Sequence, residues 1–378
     1  MMAWFGVAVA AVLIAVVLID TFEVMILPRR IAHAFRPARL FYRIAWVVWR
    51  MAARLFPVGR RRNGFLSVFG PLSLFGLLCV WAVGLIAGFA LLHWSLGTTL
   101  VTTRTADESL GAYVYFSGTT FFTLGYGDLV PTGALGRALS VAEAGIGFGF
   151  LAIVISYLPV LYQAFSRREI TISLLDARAG SPPTAGELLR RLAAADGLGS
   201  AGPLLVEWER WAAELLESHL SFPVLSFYRS QHDNQSWVGA LTTILDTAAL
   251  LIAGVDSPDG HQARLTFAMA RHAAVDLCNV FQTPPRPPES DRLPAAAFDQ
   301  LRESLGGVGV ALRDGPALAE LRGLYEPVVN ALAAHFQFAL PPFLPEKPPV
   351  DNWQTSPWMP RSPGLGGLNS GAADDHFD

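Results

Sequence analysis

Long apolar segments separated by polar ones dominate the first 165 residues. Residues 3–27, 72–94 and about 138–162 are each long enough, at 1.5 Å per residue, to cross a hydrocarbon core about 30 Å thick. A shorter apolar stretch at residues 111–122 cannot cross it and predicts a helix that enters the membrane and returns. The pattern therefore predicts three spanning helices, the last ending near Phe165, and one re-entrant helix.

The first apolar run carries two acidic residues. It has no basic stretch before it and no small-residue cleavage site near its end, so we expect a retained anchor rather than a removed signal peptide. Asp20 and Glu23 lie in its last third, and carboxylates inside a membrane are candidate functional groups. Their proximity to Arg29 and Arg30 favours a simpler interpretation, an ion pair that helps to set the topology.

A strongly basic segment follows this run. Residues 24–63 contain ten arginines and no acidic residue, which by the positive-inside rule places them in the cytoplasm and the N-terminus outside. On a helical wheel, five of the arginines share a sector of about 60°. They are Arg36, Arg39, Arg43, Arg50 and Arg54. We interpret the segment as an amphipathic helix on the inner leaflet. The alternative, a voltage-sensing helix, would carry arginine at every third position within a four-helix unit.

The composition agrees with a membrane protein that has a soluble part. Hydrophobic residues make up 52% of the chain and charged residues 16%, with a mean hydropathy of +0.39. Residues 1–165 carry 12 basic and six acidic residues, whereas the remainder carries 16 basic and 25 acidic residues. With only Cys79 and Cys278 there is no disulfide framework, which is compatible with a cytosolic second part.

The second half of the chain changes to the pattern of soluble helices, punctuated by glycine and proline. Amphipathic helices are predicted at residues 186–195, 204–219, 236–254, 261–281, 295–304 and 316–338. Residues 238–254 are apolar but short and contain Asp246, so a buried helix is favoured over a fourth span. The end of the chain is rich in glycine, proline and serine and predicts a disordered tail.

Six residues between the re-entrant helix and the last spanning helix have the chemistry of an ion path. They are Thr123, Leu124, Gly125, Tyr126, Gly127 and Asp128. A pore that strips water from an ion must supply oxygens, and Gly125 and Gly127 can adopt the φ values that aim backbone carbonyls inwards. Thr123 can add its hydroxyl, and Tyr126 can brace the segment by packing into surrounding protein. Non-helical backbone is tolerated at membrane depth when it lines such a path.

This segment resembles the filter signature Thr-Val-Gly-Tyr-Gly-Asp of the potassium channel pore family, and the resemblance covers about residues 70–165. It implies that K⁺ is coordinated by the backbone of Thr123, Leu124, Gly125 and Tyr126. K⁺ would be the permeant ion, and no cofactor is expected. One chain carries one filter sequence, so the resemblance also implies a homotetramer. The acidic Asp107, Glu108 and Asp128 would then gather at the outer mouth.

Two departures from the family pattern concern the pore helix and the filter. Leu124 replaces the usual valine, a conservative change at a position that contributes its carbonyl. Tyr115 and Phe116 resemble the aromatic cuff of the family, but Thr119 stands where some members have a buried acid paired with the filter aspartate. Glu143 could replace that acid from the inner helix, or could be a plain buried, hydrogen-bonded glutamate.

Glycine and proline in the last spanning helix suggest bending. Gly147 lies twenty residues after Gly127, where many family members have a gating hinge, and Pro159 offers a second bend. Small residues also allow close helix packing, an equal alternative for Gly145 and Gly149.

The resemblance leads to a division of the chain into five parts. They are a transmembrane helix at 1–28, a basic cytoplasmic or interfacial segment at 29–64, a pore domain at 65–165, a helical cytosolic domain at 166–345 and a tail at 346–378. The predicted fold class is an all-α membrane protein. We expect a multi-pass protein of the cell membrane whose C-terminus lies in the cytoplasm. The cytosolic domain lacks a strand followed by a dinucleotide-binding glycine motif. Its polar loop at residues 228–236 could bind a ligand or metal, although a helix cap is favoured.

The function expected from these features is a potassium-selective channel subunit with a regulatory cytosolic domain. A passive assembly collar is the alternative role for that domain. A non-selective cation channel or a potassium transporter subunit is the alternative for the whole chain. We expect no enzyme activity, because we find no catalytic constellation. Membrane lipid, the other subunits and an unknown cytosolic ligand are the expected partners, with no nucleic acid.

Overall fold

The computed structural model describes residues 2–27, 36–101, 109–313 and 315–345. The predicted tail, the mouth residues Asp107 and Glu108, and Arg29 and Arg30 lie outside the described residues. The chain divides into two compact units, Met1–Gln163 and Ala164–Asp378.

The first unit is almost entirely helical. Its helices are α1 (Met2–Met25), α2 (Pro37–Ala53), α3 (Arg60–Ser67), α4 (Phe69–Ser95), α5 (Leu110–Phe121) and the first part of α6 (Ala134–Ala179). Two short strands, β1 (Leu100–Val101) and β2 (Val130–Pro131), pair antiparallel. Within the described part, three helical stretches, which lie in α1, α3–α4 and α6, are long and apolar enough to cross a membrane. The all-α membrane fold with a short α5 between two spans is thus confirmed.

The first spanning helix packs along α4. Val17, Leu77, Trp81 and Leu85 form a buried apolar core between them. A Cβ atom added at Gly88 would approach Ile14 Cγ1 to 2.7 Å, so glycine is what lets the two helices come this close.

Asp20 is buried and hydrogen-bonded, and the ion pair expected with Arg29 or Arg30 lies outside the described residues. Its side chain is only 3% exposed and accepts hydrogen bonds from the Trp81 indole at 2.8 Å and from the Ala38 backbone N–H at 3.0 Å. A carboxylate at this depth needs such donors because water is excluded. Glu23 does form an ion pair, with Arg36 at 3.3 Å.

Helix α2 has three different faces. Trp46 is buried against Phe69, with ring centroids 4.8 Å apart, and Trp49 stacks on Phe65 at 4.4 Å. A second face exposes apolar side chains at helical spacing. They are Leu40, Ile44, Val47, Val48 and Met51. The arginine face lies beside it, so α2 is an amphipathic helix as predicted; its position on the inner leaflet stays a prediction.

The second unit contains all six predicted helices. They are α7 (Ala185–Asp196), α8 (Ala201–Ser221), α9 (Trp237–Ala253), α10 (Gly260–Phe281), α11 (Ala295–Gly306) and α12 (Pro316–Phe336). A short 3₁₀ helix, Pro223–Phe227, follows α8. All of α9 from Trp237 to Leu251 is buried by this unit, which confirms a core helix rather than a fourth span.

The expected end of the last spanning helix near Phe165 is wrong. Helix α6 continues to Ala179. The reason is that Ile172, Leu175 and Ala179 repeat at spacings of three and four residues and are all 0% exposed. The helix therefore gains a second buried face after its apolar membrane portion, and nothing in its sequence stops it earlier.

Candidate functional site

Helix α5 leads directly into the segment 123–128, which we call the filter segment. The helix begins with a side-chain cap, because Ser109 Oγ accepts from the Ala112 N–H at 3.3 Å. At its other end the Thr119 carbonyl accepts from the backbone N–H of Leu124 at 2.8 Å and of Gly125 at 3.3 Å. The start of the filter segment is therefore fixed to the last turn of α5.

The backbone of the filter segment alternates in handedness. Thr123, Gly125 and Gly127 have φ values of 57°, 54° and 76°, whereas Leu124 and Tyr126 between them do not lie in the left-handed region. Alternation of this kind turns successive carbonyls towards the same side instead of opposite sides. Glycine accepts positive φ at little cost, but a β-branched threonine does not, so Thr123 is a strained position.

The filter segment is open to one side within the single chain. Leu124 is 54% exposed and Tyr126 is 68% exposed, which is unusual for large apolar or aromatic side chains. Tyr126 therefore does not brace the filter segment by packing into its own chain.

Asp128 has a partner on α5 that the sequence did not suggest. The Tyr115 hydroxyl donates to Asp128 Oδ2 at 2.9 Å, and the Leu129 N–H donates to Asp128 Oδ1 at 3.1 Å. The Thr119 hydroxyl instead donates to the Phe116 carbonyl at 2.9 Å. The Tyr115 hydroxyl of the aromatic cuff thus contacts the filter aspartate, whose acidic partner in some family members is replaced by Thr119 in this chain. The phenolic oxygen of Tyr115 was the signal in the sequence that could have suggested this contact.

A two-stranded ladder holds the chain just beyond the filter segment. Val130 pairs with Val101 and Pro131 with Leu100. The Tyr113 hydroxyl donates to the Thr98 carbonyl at 2.6 Å and connects α5 to the loop that precedes β1. The filter segment is therefore fixed at both its ends.

Behind α5 lies a buried polar cluster formed by His93, Ser117 and Glu143, each 0% exposed. Ser117 Oγ lies 2.8 Å from the Ile86 carbonyl and forms a hydrogen bond with Glu143 Oε1. His93 Nε2 lies 3.8 Å from Glu143 Oε2. Glu143 thus contacts Ser117 and His93 rather than Asp128. Of the two alternatives, this geometry supports the plain buried, hydrogen-bonded glutamate. Sequence reasoning singled out neither Ser117 nor His93.

The glycines of α6 differ from each other in their surroundings. A Cβ atom added at Gly147 would collide with the backbone carbonyl of Phe121, at the end of α5. The same addition at Gly145 or Gly149 meets nothing within 4 Å in the single chain. Pro159 lies inside a continuous α6. Gly147 therefore has a packing role, and hinge motion at Gly147 and Pro159 stays a prediction.

The polar loop of the second unit caps a helix. Ser236 Oγ accepts from the Gly239 N–H at 2.9 Å, at the start of α9. Within the described ranges, no group of three or more His, Cys, Asp and Glu side chains could hold a metal ion. The capping interpretation is therefore the one that the geometry supports.

Two charged clusters are buried in the second unit. Arg168 donates to the carbonyls of Leu225 at 2.9 Å and Tyr228 at 2.8 Å, and its guanidinium lies 3.2 Å from His219 Nε2. Burial, and secondly the charge of Arg168, lowers the pKa of His219 well below its ordinary value.

The other cluster is centred on Asp246, which is 0% exposed in α9. Arg292 forms an ion pair with it, and the Tyr325 hydroxyl donates to it at 2.5 Å. Burial, followed by the charge of Asp246, raises the pKa of Tyr325 well above its ordinary value. These groups are fully used in mutual contacts, so they support the fold of the unit rather than forming an open site.

Comparisons with known proteins agree with this arrangement. Residues 76–163, which contain α5, the filter segment and most of the flanking spans, match a family model described as "Ion channel". A Bacillus subtilis (strain 168) protein described as "Uncharacterized membrane protein YdjJ" is 26% identical over 242 residues, which cover 63% of this chain and 69% of that protein. No solved structure matches the chain. The comparisons and the apolar helices together support a membrane protein with an ion channel pore.

Proposed function

We propose that the chain is a subunit of a potassium-selective channel in which four copies surround one pore. The observation that carries the proposal is the alternating backbone of Thr123, Gly125 and Gly127 at the end of a short helix between two spans. Carbonyls aimed to one side replace the water of a dehydrated K⁺ ion, a mechanism that the potassium channel filter exemplifies. In this proposal the carbonyls of residues 123–126 coordinate the permeant ion.

The homotetramer follows from what one chain lacks. A single filter segment offers carbonyls from one direction, and an ion needs them from all sides. The exposed Tyr126 and Leu124 side chains would be buried by neighbouring copies, which gives the closed symmetric arrangement a source of stability. Tyr115 and Asp128 then surround the outer mouth, while the N-terminus lies outside and the second unit in the cytoplasm.

The selectivity test uses the purified protein in liposomes. The reversal potential is measured with K⁺ on one side and Na⁺ on the other, and the mass of the complex is measured in detergent. Gly125→Ala should remove K⁺ selectivity, because alanine is strained at a φ of 54°. Gly133→Ala is the matched control. Gly133 lies five residues after Asp128 and outside the positive-φ set, and an added Cβ there meets nothing within 4 Å.

The outcomes separate the alternatives. A reversal potential near zero in the unchanged protein would indicate a non-selective cation channel. Flux that saturates at the slow rate of a carrier would indicate a transporter subunit. A stable dimer would contradict the fourfold arrangement.

We also propose that the second unit regulates opening when it binds a cytosolic ligand. This proposal is supported by α6, which continues without interruption from the apolar span into the second unit. Any ligand that favours one packing of that unit can therefore bias the helix.

Inserting two glycines after Ser166 would interrupt this continuity. The insertion should change open probability and leave selectivity intact. The same insertion in the loop after Pro285 is the control. A collar that only assembles the tetramer would instead lose tetramers when α6 is interrupted.

A further inference from the structure

We propose that Ser117 and Glu143 form a latch that positions the pore helix α5 and thereby holds the filter segment in its conducting arrangement. We call this pair the latch. The proposal rests on the proposed function of the chain as an ion channel. Neither residue contacts the permeant ion in this proposal, so both are positioning residues.

The first step is that three helices meet at one hydroxyl. Ser117 lies on α5 and reaches the Ile86 carbonyl of α4 at 2.8 Å on one side and Glu143 of α6 on the other. Ser117 and Glu143 are both 0% exposed, so water does not compete for these hydrogen bonds. A hydrogen bond in such surroundings is costly to lose, because the group left behind has no replacement partner.

The second step concerns register. Ser117 and Phe121 are one helical turn apart on α5, and Glu143 and Gly147 are one turn apart on α6. Glu143 contacts Ser117, and Gly147 lies against the Phe121 carbonyl. The two helices are therefore held together at two successive turns, one by a hydrogen bond and one by close backbone packing.

The third step connects the latch to the filter segment. The residue midway between Ser117 and Phe121 is Thr119, whose carbonyl accepts the N–H groups of Leu124 and Gly125. Any shift of the last turn of α5 must therefore move the backbone that starts the filter segment. The latch sets where α5 lies, and α5 sets where the first filter carbonyls point.

The choice of residues allows hydrogen bonding to be separated from charge. The Ser117 hydroxyl has one hydrogen and two neighbours able to accept it, Glu143 and the Ile86 carbonyl. A glutamine at position 143 offers both an acceptor and a donor in almost the same volume, whereas alanine offers neither. Glu143→Gln should therefore preserve the latch, and Glu143→Ala should break it.

The experiment compares four variants of the full chain in planar bilayers. They are Glu143→Ala, Ser117→Ala, Glu143→Gln and the control Ser140→Ala. Ser140 lies on α6, the helix that carries Glu143, and its hydroxyl donates to the Gly136 carbonyl within that helix at 2.8 Å. The readouts are the ratio of conducting to non-conducting time, the K⁺/Na⁺ reversal potential and the fraction of tetramer. Either alanine variant at the latch should lower the conducting ratio about ten-fold, the change expected when one buried hydrogen bond is lost.

A double variant and the four single variants together test whether the latch exists. The Ser117→Ala and Glu143→Ala double variant should be no more defective than Ser117→Ala alone, because Ser117→Ala already removes the hydrogen bond that Glu143→Ala would remove. The latch is overturned if the alanine variants conduct like the unchanged protein, if the effects of the two add fully, or if Glu143→Gln is as defective as Glu143→Ala. A loss of tetramer equal to the loss of current in every latch variant would also overturn it, since the pair would then serve assembly alone. Should the unchanged protein conduct Na⁺ as well as K⁺, the proposed selectivity fails, but the conducting ratio still tests the latch.

Discussion

The indole N–H of Trp81 donates a 2.8 Å hydrogen bond to the carboxylate of Asp20, a residue 61 positions earlier in the chain. The same carboxylate accepts the Ala38 N–H at the start of α2. One buried side chain therefore fixes three elements, since Asp20 lies on α1, Ala38 on α2 and Trp81 on α4. The contact therefore holds the start of the amphipathic helix α2 against α1 and α4.

Asp20→Ala should destabilise the first unit. The change leaves the Trp81 indole and the Ala38 N–H without their buried acceptor, which costs about 1–3 kcal/mol for each unsatisfied group. We expect a lower midpoint of thermal unfolding of the detergent-solubilised protein. Trp81→Phe should lower it less, because it removes only one donor. Equal midpoints for Asp20→Ala and the unchanged protein would contradict a clamping role.

Gly147→Ala should weaken the packing of α6 on α5. The added methyl group collides with the Phe121 carbonyl, and such overpacking typically costs about 1–3 kcal/mol. Gly149→Ala is the control, because the added methyl group meets no atom within 4 Å in the single chain. Thermal unfolding and the tetramer fraction should fall for Gly147→Ala and not for the control. A pure hinge role would instead leave stability unchanged or raised, since alanine favours the helix.

The second unit should become less stable as the pH falls below about 6.5, because of His219. Its Nδ1 lies 2.8 Å from the Leu215 carbonyl, which can only accept, and its Nε2 faces the Arg168 guanidinium, which can only donate. The folded protein thus holds a neutral ring whose pKa is well below the ordinary 6.5. Below pH 6.5 the unfolded chain binds a proton that the folded chain does not, which costs about 1.4 kcal/mol per pH unit.

The measurement for His219 is the unfolding midpoint of the full chain between pH 8 and pH 5, where the decrease begins at about the reference pKa of 6.5. His219→Gln keeps a donor and an acceptor without a titrating ring and should reduce this decrease. His272→Gln should leave it unchanged, because the His272 side chain is 60% exposed. Identical pH profiles for the unchanged protein and His219→Gln would refute the assignment. Glu187 should add no pH dependence in this range. Its pKa is lowered by Arg190 and Arg191 against the effect of its burial, so the stability that it contributes is lost only as the pH falls below about 4.5.

Asp246→Ala should be among the most damaging changes in the second unit. It leaves the Arg292 charge buried without its closest partner and removes the acceptor of the Tyr325 hydroxyl. Breaking a buried pair from one side costs about 3–5 kcal/mol. Asp256→Ala, which removes an exposed ion pair with Arg313, is the matched control and should leave unfolding almost unchanged. Similar unfolding of the two variants would show that the cluster does not support the core.

Several features were readable from local pattern alone. The apolar runs gave three spans, and the helical spacing of apolar residues gave the six helices of the second unit. Both features can be read locally, because the spacing of apolar residues and the length of an apolar run depend only on the residues of that one helix. The extension of α6 to Ala179 was missed because a change from a lipid-facing to a protein-facing helix leaves no stop signal in the sequence.

The sequence alone specifies the chemistry of the filter segment, because the glycines among residues 123–128 allow positive φ values and the backbone supplies the carbonyl oxygens. It does not specify what holds that segment in place. Tyr115 with Asp128, Ser117 with Glu143, and Asp20 with Trp81 are separated by 13, 26 and 61 residues, respectively. Such pairs meet only after the helices have packed, since the direction in which each polar side chain points depends on helix rotation and on the neighbours that exclude water.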